Sequence, residues 1–159
     1  MRIAYTPEQD DLRSELRSYF TDLMTDEVHE ELWKNGGESS PLYRQLVKKM
    51  GNDGWLGVGW PTEYGGQGRG MVDQLIFADE AQAAGAPVPF LTLNTVGPTI
   101  MAMGSEAQKR QFLPGILRGD IHFSIGYTES GAGTDLAALR TRAVRDGDEY
   151  VINGQKIFT

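Results

Sequence analysis

Apolar residues recur at helical spacing through the first two thirds of the chain. The clearest run follows the capping-box sequence Thr6-Pro7-Glu8-Gln9, and it predicts an amphipathic helix over about residues 7–25. Ser40-Pro41 opens a second helix in the same way, with Gly51 near its end. A third helix is expected from about Met71 to Ala84, where the breaker sequence GAPVP follows.

Two more helical segments precede a change of pattern. Ser105-Glu106-Ala107-Gln108 is a second capping box and predicts a short helix that ends at Leu113-Pro114, because proline lacks an amide donor. The run LTLNTVGPTIMAMG before it also favours a helix, whose start is left open by Pro98. We therefore expect an N-terminal helical bundle over residues 1–119.

The period changes after Gly119-Asp120. The run IHFSIGYT predicts a buried strand, and Asp146-Gly147 and Asn153-Gly154 are two hairpin signals, because their residues tolerate the positive φ angles of tight turns. We predict a meander of three strands there. The expected fold class is mainly α with a β portion, in which residues 120–159 form the first antiparallel strands of an incomplete β domain. Because the sequence stops at Thr159 within a strand-like run, we expect a truncated domain.

Charge and composition limit the kinds of site and partner that we expect for the chain. The chain has 159 residues and a formal net charge of −7, with no cysteine and two well-separated histidines, His29 and His122. We therefore expect no metal site. Basic residues cluster no more densely than an adjacent pair such as Lys48-Lys49, so a nucleic-acid partner is not expected. No apolar run approaches the roughly 20 residues that cross a bilayer, and the N-terminus lacks a secretory hydrophobic region, so we predict a cytoplasmic protein without a membrane span.

The sequence YTESGAGTD, residues Tyr127–Asp135, places three small residues between a glutamate and a threonine-aspartate pair. Such a stretch after a strand lets the backbone turn sharply and present consecutive N–H groups to phosphate oxygens. A plain glycine turn between strands is the alternative. A nicotinamide-binding fingerprint is disfavoured, because the stretch has no third glycine and is followed by strands rather than a helix.

Three motifs in one order resemble the acyl-CoA dehydrogenase family. The stretch from Gly126 to Thr159 resembles the signature of the family's middle domain, with threonine-glutamate, Gly-Ala-Gly, a hairpin and Asn-Gly-x-Lys. GWPTEYGGQG and GSEAQKRQFLPGILRGD resemble two segments of its N-terminal helical domain. The stretch from Asp73 to Gly104 is also similar to the actinobacterial members that act on steroid side chains, a subgroup of assemblies with two kinds of subunit sharing one flavin per pair.

The resemblance implies a flavin-dependent enzyme of lipid metabolism and steroid catabolism. It would carry out α,β-dehydrogenation of an acyl-CoA thioester with FAD, pass electrons to an electron-transfer flavoprotein or similar acceptor, and form a homo- or hetero-oligomer. The alternative is a non-catalytic structural subunit that docks on a catalytic homologue and shapes its flavin site. An intact TESGAGT sequence argues against that alternative, because a purely structural subunit has no need of a phosphate turn.

The resemblance also implies particular site residues. The positions matching the family's cofactor site are Tyr127, Thr128, Gly131, Gly133, Thr134, Phe158 and Thr159. Thr134 also faces the entering substrate, and Phe90 and Leu93 lie in a segment that walls the acyl cavity, unless they simply cap the helical core. Ser130 and Phe158 depart from the family pattern, which usually has proline and tryptophan there.

No catalytic residue is expected in this chain. Glu63, Glu80 and Glu129 are conceivable bases, but no sequence feature suggests burial beside a substrate. The resemblance implies a catalytic glutamate in a C-terminal helical domain that is not part of this sequence.

Overall fold

The computed structural model describes residues 4–35 and 40–159, which form helices and one small sheet. The elements are α1 Pro7–Leu23, α2 Asp26–Lys34, α3 Pro41–Asn52, α4 Met71–Ala83, α5 Gly97–Met103, α6 Glu106–Leu117, β1 Arg142–Asp146 and β2 Glu149–Asn153. The expected class, a helical bundle followed by antiparallel strands, is confirmed. No helix in the part of the chain described is long and apolar enough to span a membrane.

The chain divides into two compact units. The first ends at His122 and contains helices α1 to α6, and the second comprises residues Phe123–Thr159 with the β-hairpin. The domain boundary that we place between residues 119 and 120 stays a prediction.

Helix α1 packs against α4 and forms the centre of the helical unit. The Phe20 and Phe77 rings lie 5.9 Å apart between the two helices, and both side chains are fully buried. Glu80 on α4 is also buried, and its carboxylate accepts hydrogen bonds from Arg13 and Arg17 on α1. A paired carboxylate thus crosses an otherwise apolar interface, where two guanidinium groups offset the loss of hydration.

The first helix ends two residues earlier than expected. Thr25 accepts a hydrogen bond from the Val28 N–H and so begins a separate helix, α2, which the periodicity alone does not reveal. Met24 lies between the two helices, and its N–H donates to the Phe20 carbonyl.

The expected end of α6 at Leu113-Pro114 is wrong, because the helix continues to Leu117. Pro114 removes one amide donor, but Leu113 and Ile116 beside it are fully buried, and their packing outweighs the lost bond. Gly119, two residues beyond the end of the helix, has a φ of +71°. The N–H groups of Gly119 and Asp120 donate to the carbonyls of Ile116 and Gly115, which is the pattern of a Schellman cap.

One of the two predicted hairpins is formed. Strands β1 and β2 pair antiparallel from Arg142 opposite Asn153 to Asp146 opposite Glu149. Gly147 takes a φ of +61° at the first position of the two-residue loop, as a type II′ turn requires.

The other two strand predictions are wrong. Residues 121–128 alternate between half-buried and exposed positions over most of their length, but within the described residues no neighbouring strand forms a ladder with them. Gly154 does not turn the chain into a third strand either, since its φ is not positive. It instead lies against Thr141, where a Cβ would come within 2.1 Å of the Thr141 Oγ1. Close approach, not backbone conformation, is what requires glycine at this position.

Candidate cofactor-binding site

The small-residue stretch forms a tight turn closed by two backbone hydrogen bonds. The Glu129 N–H donates to the Ala132 carbonyl at 3.0 Å, and the Ala132 N–H donates back to the Glu129 carbonyl at 3.1 Å. Ser130 and Gly131 form the tip of the turn. Neither Gly131 nor Gly133 has a positive φ, and a Cβ on either would meet no atom within 4 Å. These glycines therefore leave the backbone uncovered rather than supply a left-handed conformation.

The uncovered backbone offers free hydrogen-bond donors. Gly131, Gly133 and Thr134 are all exposed, and within residues 4–35 and 40–159 their N–H groups find no protein acceptor. The Thr134 carbonyl accepts from the Leu136 N–H at 3.1 Å, which fixes the chain just after the free donors. Neighbouring backbone N–H groups that point to solvent are a common way of binding phosphate oxygens. The residues present thus fit the phosphates of a dinucleotide.

The Glu129 carboxylate lies behind this turn and is only 8% exposed. Its Oε2 accepts from the Arg140 N–H at 2.7 Å, and its Oε1 accepts from the Thr141 N–H at 3.0 Å and from Lys156 Nζ at 2.8 Å. The Lys156 ammonium, followed by the hydrogen bonds from Thr141 and Arg140, lowers the pKa of Glu129 from 4.5 to about 2. Glu129 is therefore an ionised anchor and a poor proton acceptor.

Lys156 also connects the turn to the end of the second unit. Its ammonium donates to the Tyr127 carbonyl at 3.1 Å, and the next residue, Ile157, donates its N–H to the Thr128 carbonyl at 2.9 Å. Residues 127–128 and 156–157 therefore run side by side. This pairing brings the predicted cofactor residues at the two ends of the motif, Tyr127 and Phe158, into neighbouring backbone segments.

Two aromatic side chains are exposed in this region. Tyr127 is largely exposed, and Phe158 is 90% exposed with a φ of +57°, a left-handed value that is uncommon for a bulky residue. Thr159 follows directly, and its Oγ1 would lie 3.8 Å from a Cβ on Gly126. The cofactor roles of these residues stay predictions, but the structure brings them near the turn within one compact unit.

Two of the three predicted substrate residues, Phe90 and Leu93, lie in the helical unit and differ in exposure, whereas Thr134 lies in the second unit. Phe90 is 39% exposed and, with Leu32, Trp33 and Val88, lines a cavity of about 450 Å³. Leu93 is only 1% exposed and belongs to a π-helical turn over Thr92–Val96 that leads into α5. Such turns are frequent at functional sites. The contacts of both residues with a substrate stay predictions.

The pattern of charged residues does not reveal the Glu129–Lys156 pair in advance. The two residues are 27 positions apart, and neither belongs to a periodic stretch whose spacing would connect them. A signal is present nonetheless, because a glutamate beside a glycine turn and a lysine after Asn-Gly both lie in the motif stretch.

Comparison with known proteins places the chain in a family. Residues 6–120 match the acyl-CoA dehydrogenase N-terminal domain. The chain belongs to the acyl-CoA dehydrogenase family. The resemblance drawn from the sequence motifs is thereby confirmed.

The acyl-CoA dehydrogenase relatives extend the match to the whole chain. The acyl-CoA dehydrogenase FadE26 of Mycobacterium tuberculosis is 65% identical over 161 residues, covering 100% of this chain and 40% of the relative. The ChsE4-ChsE5 complex from Mycobacterium tuberculosis contains a chain that is 65% identical, with a TM-score of 0.91, over 100% of this chain and 40% of that one. The steroid ACAD Tcur3481-Tcur3483 has a chain that is 56% identical, with a TM-score of 0.91, over 100% of this chain and 41% of that one.

The chain thus spans about 40% of the length of these acyl-CoA dehydrogenases. The family-domain match ends at Asp120, before the turn, whereas the matches to whole relatives include the turn and the hairpin. The free donors at Gly131–Thr134 therefore lie in a part of the chain that is shared with full-length members of the family.

Proposed function

We propose that the intact protein is an FAD-dependent acyl-CoA dehydrogenase subunit that introduces a double bond between the α and β carbons of an acyl-CoA thioester. One observation carries the proposal: an acyl-CoA dehydrogenase chain holds an exposed turn with three free backbone N–H donors, at Gly131, Gly133 and Thr134. This donor set suits phosphate oxygens, and the lack of side chains on two of its residues lets a large ligand approach closely.

The residues of this chain bind and orient the cofactor. The N–H groups of Gly131, Gly133 and Thr134 would hold the phosphates, Tyr127 and Thr128 would contact the flavin ring, and the exposed Phe158 ring would pack on it. Thr159 would add a hydrogen bond to the ring. When bound, FAD accepts the hydride that leaves the β carbon.

The base that removes the α-proton is proposed to lie outside the residues of this chain. Glu80 and Glu129 are the buried carboxylates in the described part of the chain, and cationic partners hold the pKa of each below its ordinary value. A carboxylate with a lowered pKa is a weak base at neutral pH, so neither suits α-proton removal. Glu63 is exposed and lies on a short helical turn in the helical unit.

The proposed substrate is a steroid side-chain CoA ester, and the proposed assembly contains two kinds of acyl-CoA dehydrogenase subunit. Both proposals are supported by similarity to a steroid ACAD and to a complex named for two components. An electron-transfer flavoprotein or similar carrier would reoxidise the flavin.

A specific observation favours a second candidate, a non-catalytic subunit that shapes the flavin site of its partner. The similar structures pair two differently named components, so one component of such a pair could lack a base of its own. The free donors at the turn would then contribute to a cofactor held mainly by the partner.

Flavin retention tests the proposal. The intact protein, produced with its partner subunit, would be incubated with FAD, desalted and examined for flavin absorbance. It would then be assayed with a steroid side-chain CoA ester and a straight-chain acyl-CoA in the presence of an artificial electron acceptor. Retained flavin and preferential oxidation of the steroid ester are expected. An assembly that keeps no flavin would contradict the proposal. An assembly that keeps flavin but oxidises the ester with the partner's base alone would favour the second candidate.

A further inference from the structure

The Glu129 carboxylate joins three separate stretches of the second unit. It extends from the turn that carries the free donors, accepts the N–H groups of Arg140 and Thr141 just before β1, and accepts the ammonium of Lys156 after β2. Lys156 in turn donates to the Tyr127 carbonyl on the other side of the turn. One carboxylate and one ammonium therefore connect the residues on which the proposed cofactor site is built.

Within the residues of this chain, other packing around the turn is sparse. Ala132 is buried, but Ser130, Gly131, Gly133 and Thr134 are exposed, and every residue of the nearby strands β1 and β2 is exposed as well. Within this chain, the turn is held mainly by directed polar contacts. Charge-assisted hydrogen bonds in a water-poor position are the stronger kind of such contacts.

We propose that Glu129 and Lys156 act as positioning residues for the flavin: their ion pair sets where the Gly131–Thr134 donors lie relative to Tyr127 and Phe158. The inference rests on the proposed function and deepens it. Neither side chain needs to touch the cofactor. The Glu129 carboxylate accepts from backbone N–H groups and from Lys156, whose ammonium also donates to the Tyr127 carbonyl. The phosphates would therefore be bound by backbone N–H groups.

The chemistry of the site makes glutamine a poor substitute for Glu129. The carboxylate receives donors on both oxygens, one from Arg140 and two on the other oxygen from Thr141 and Lys156. A glutamine side chain has a single oxygen, so in either orientation its NH₂ group faces at least one N–H donor. Arginine can replace Lys156, by contrast, because a guanidinium can donate to a carboxylate and a carbonyl at once.

The test measures the FAD dissociation constant of the intact assembly. We expect Glu129→Gln and Lys156→Met each to weaken FAD binding about tenfold or more, and Lys156→Arg to stay within about threefold of the parent. The double variant E129Q/K156M should weaken FAD binding by less than the product of the two single effects, because both changes break the ion pair that the two residues share. Glu80→Gln is the matched control, since it changes a buried, paired carboxylate in the helical unit and should leave FAD affinity unchanged.

The outcomes separate the two claims. If the parent assembly retains flavin and Glu129→Gln binds it equally well, the positioning role is overturned while the proposed function stands. If the parent assembly retains no flavin, the proposed function is overturned and the positioning role with it. Should Glu129→Gln fail to fold, the partly buried Lys156 decides: equal weakening by Lys156→Met and Lys156→Arg would overturn the inference.

Discussion

Gly97 lies directly against the indole ring of Trp60, where a Cβ on the glycine would come within 2.1 Å of the ring carbon Cζ2. The same indole donates its Nε1–H to the Leu93 carbonyl at 3.1 Å. One tryptophan from the loop after α3 thus contacts both the π-helical turn over Thr92–Val96 and the first residue of α5. Glycine at position 97 is what permits this approach.

Replacing Gly97 with Ala should lower the free energy of unfolding by about 1–3 kcal/mol, because the added methyl group overpacks a buried contact. Urea unfolding of the two proteins would measure the difference. Thr99→Ala, at an exposed position of the same helix, is the control and should change stability by no more than about 0.5 kcal/mol. An alanine at position 97 that leaves the unfolding free energy unchanged would show that Trp60 can move away at little cost.

Local signals in the sequence predict most of the helical unit. Capping boxes at Thr6 and Ser105 mark where two helices begin, as the structure confirms. The end of α6 is not predictable in this way, because burial of Leu113 and Ile116 overrides the break that Pro114 suggests. The strand predicted over residues 121–128 is wrong for the opposite reason. A strand-like pattern forms a strand only where a neighbouring strand supplies hydrogen-bond partners.

The sequence predicts the small-residue turn of the candidate site, but not the contacts that hold this turn in place. The small residues suggest either a turn for phosphate or a plain turn, and the family resemblance is what singles out Gly131, Gly133 and Thr134 for phosphate. Their open surroundings agree with that interpretation. The pairing of Glu129 with Lys156 depends on how the chain returns after the hairpin, which no local pattern specifies. Gly154 shows the same limit, because the glycine expected to make a turn instead accommodates Thr141.

The ion pairs of Glu80 with Arg13 and Arg17 should make the free energy of unfolding depend on pH in the acid range. Hydrogen bonds from Arg17, and then from Arg13, lower the pKa of Glu80 from its ordinary 4.5. A lowered pKa means that the stabilisation is complete above pH 4.5 and is lost as the pH falls through the pKa of the folded protein. Because both arginines are largely exposed and remain hydrated, Glu80→Gln should cost only about 1–3 kcal/mol at neutral pH.

Urea unfolding between neutral pH and a pH of about 3 would follow this difference. The gap between the parent protein and Glu80→Gln should narrow as the pH falls below 4.5. Glu63→Gln, which alters an exposed carboxylate, should match the parent within about 0.5 kcal/mol throughout. A gap that stays constant across the acid range would contradict a titrating role for Glu80.

Replacing Gly133 with Val should abolish flavin retention and leave the fold intact. A side chain on Gly133 meets no protein atom within 4 Å and the residue has no positive φ, so the expected change in unfolding free energy is within about 1 kcal/mol. The added methyl groups would instead occupy the space through which phosphates reach the backbone. Flavin absorbance after desalting is the readout, with Ala137→Val at a nearby exposed position as the control. Stoichiometric flavin in the Gly133 variant would show that the cofactor lies elsewhere.

The 159-residue chain by itself should lack dehydrogenase activity, because the proposed base lies outside it. An assay of the chain with FAD, an artificial electron acceptor and several acyl-CoA esters would test this expectation. The full-length assembly, assayed in parallel, is the control. Turnover of about 1 s⁻¹ or more by the chain alone would place a base within these residues and contradict the proposal that the base lies outside them.

Phe90 and Leu93 should respond differently to truncation, because one borders a cavity and the other belongs to the core. Leu93→Ala removes a side chain that is 1% exposed and should cost about 2–5 kcal/mol of unfolding free energy. Phe90 is 39% exposed beside the 450 Å³ cavity, so Phe90→Ala should cost about 1 kcal/mol or less.

If the segment walls the acyl pocket, Phe90→Ala in the full-length assembly should shift the ratio of kcat/KM between a steroid side-chain CoA ester and a straight-chain ester. The exposed Met103 on α5 serves as a control, since Met103→Ala removes a large apolar side chain that does not border the cavity. An unchanged ratio for Phe90→Ala, together with a loss of stability well above 1 kcal/mol, would assign Phe90 to packing of the helical unit and place the acyl group elsewhere.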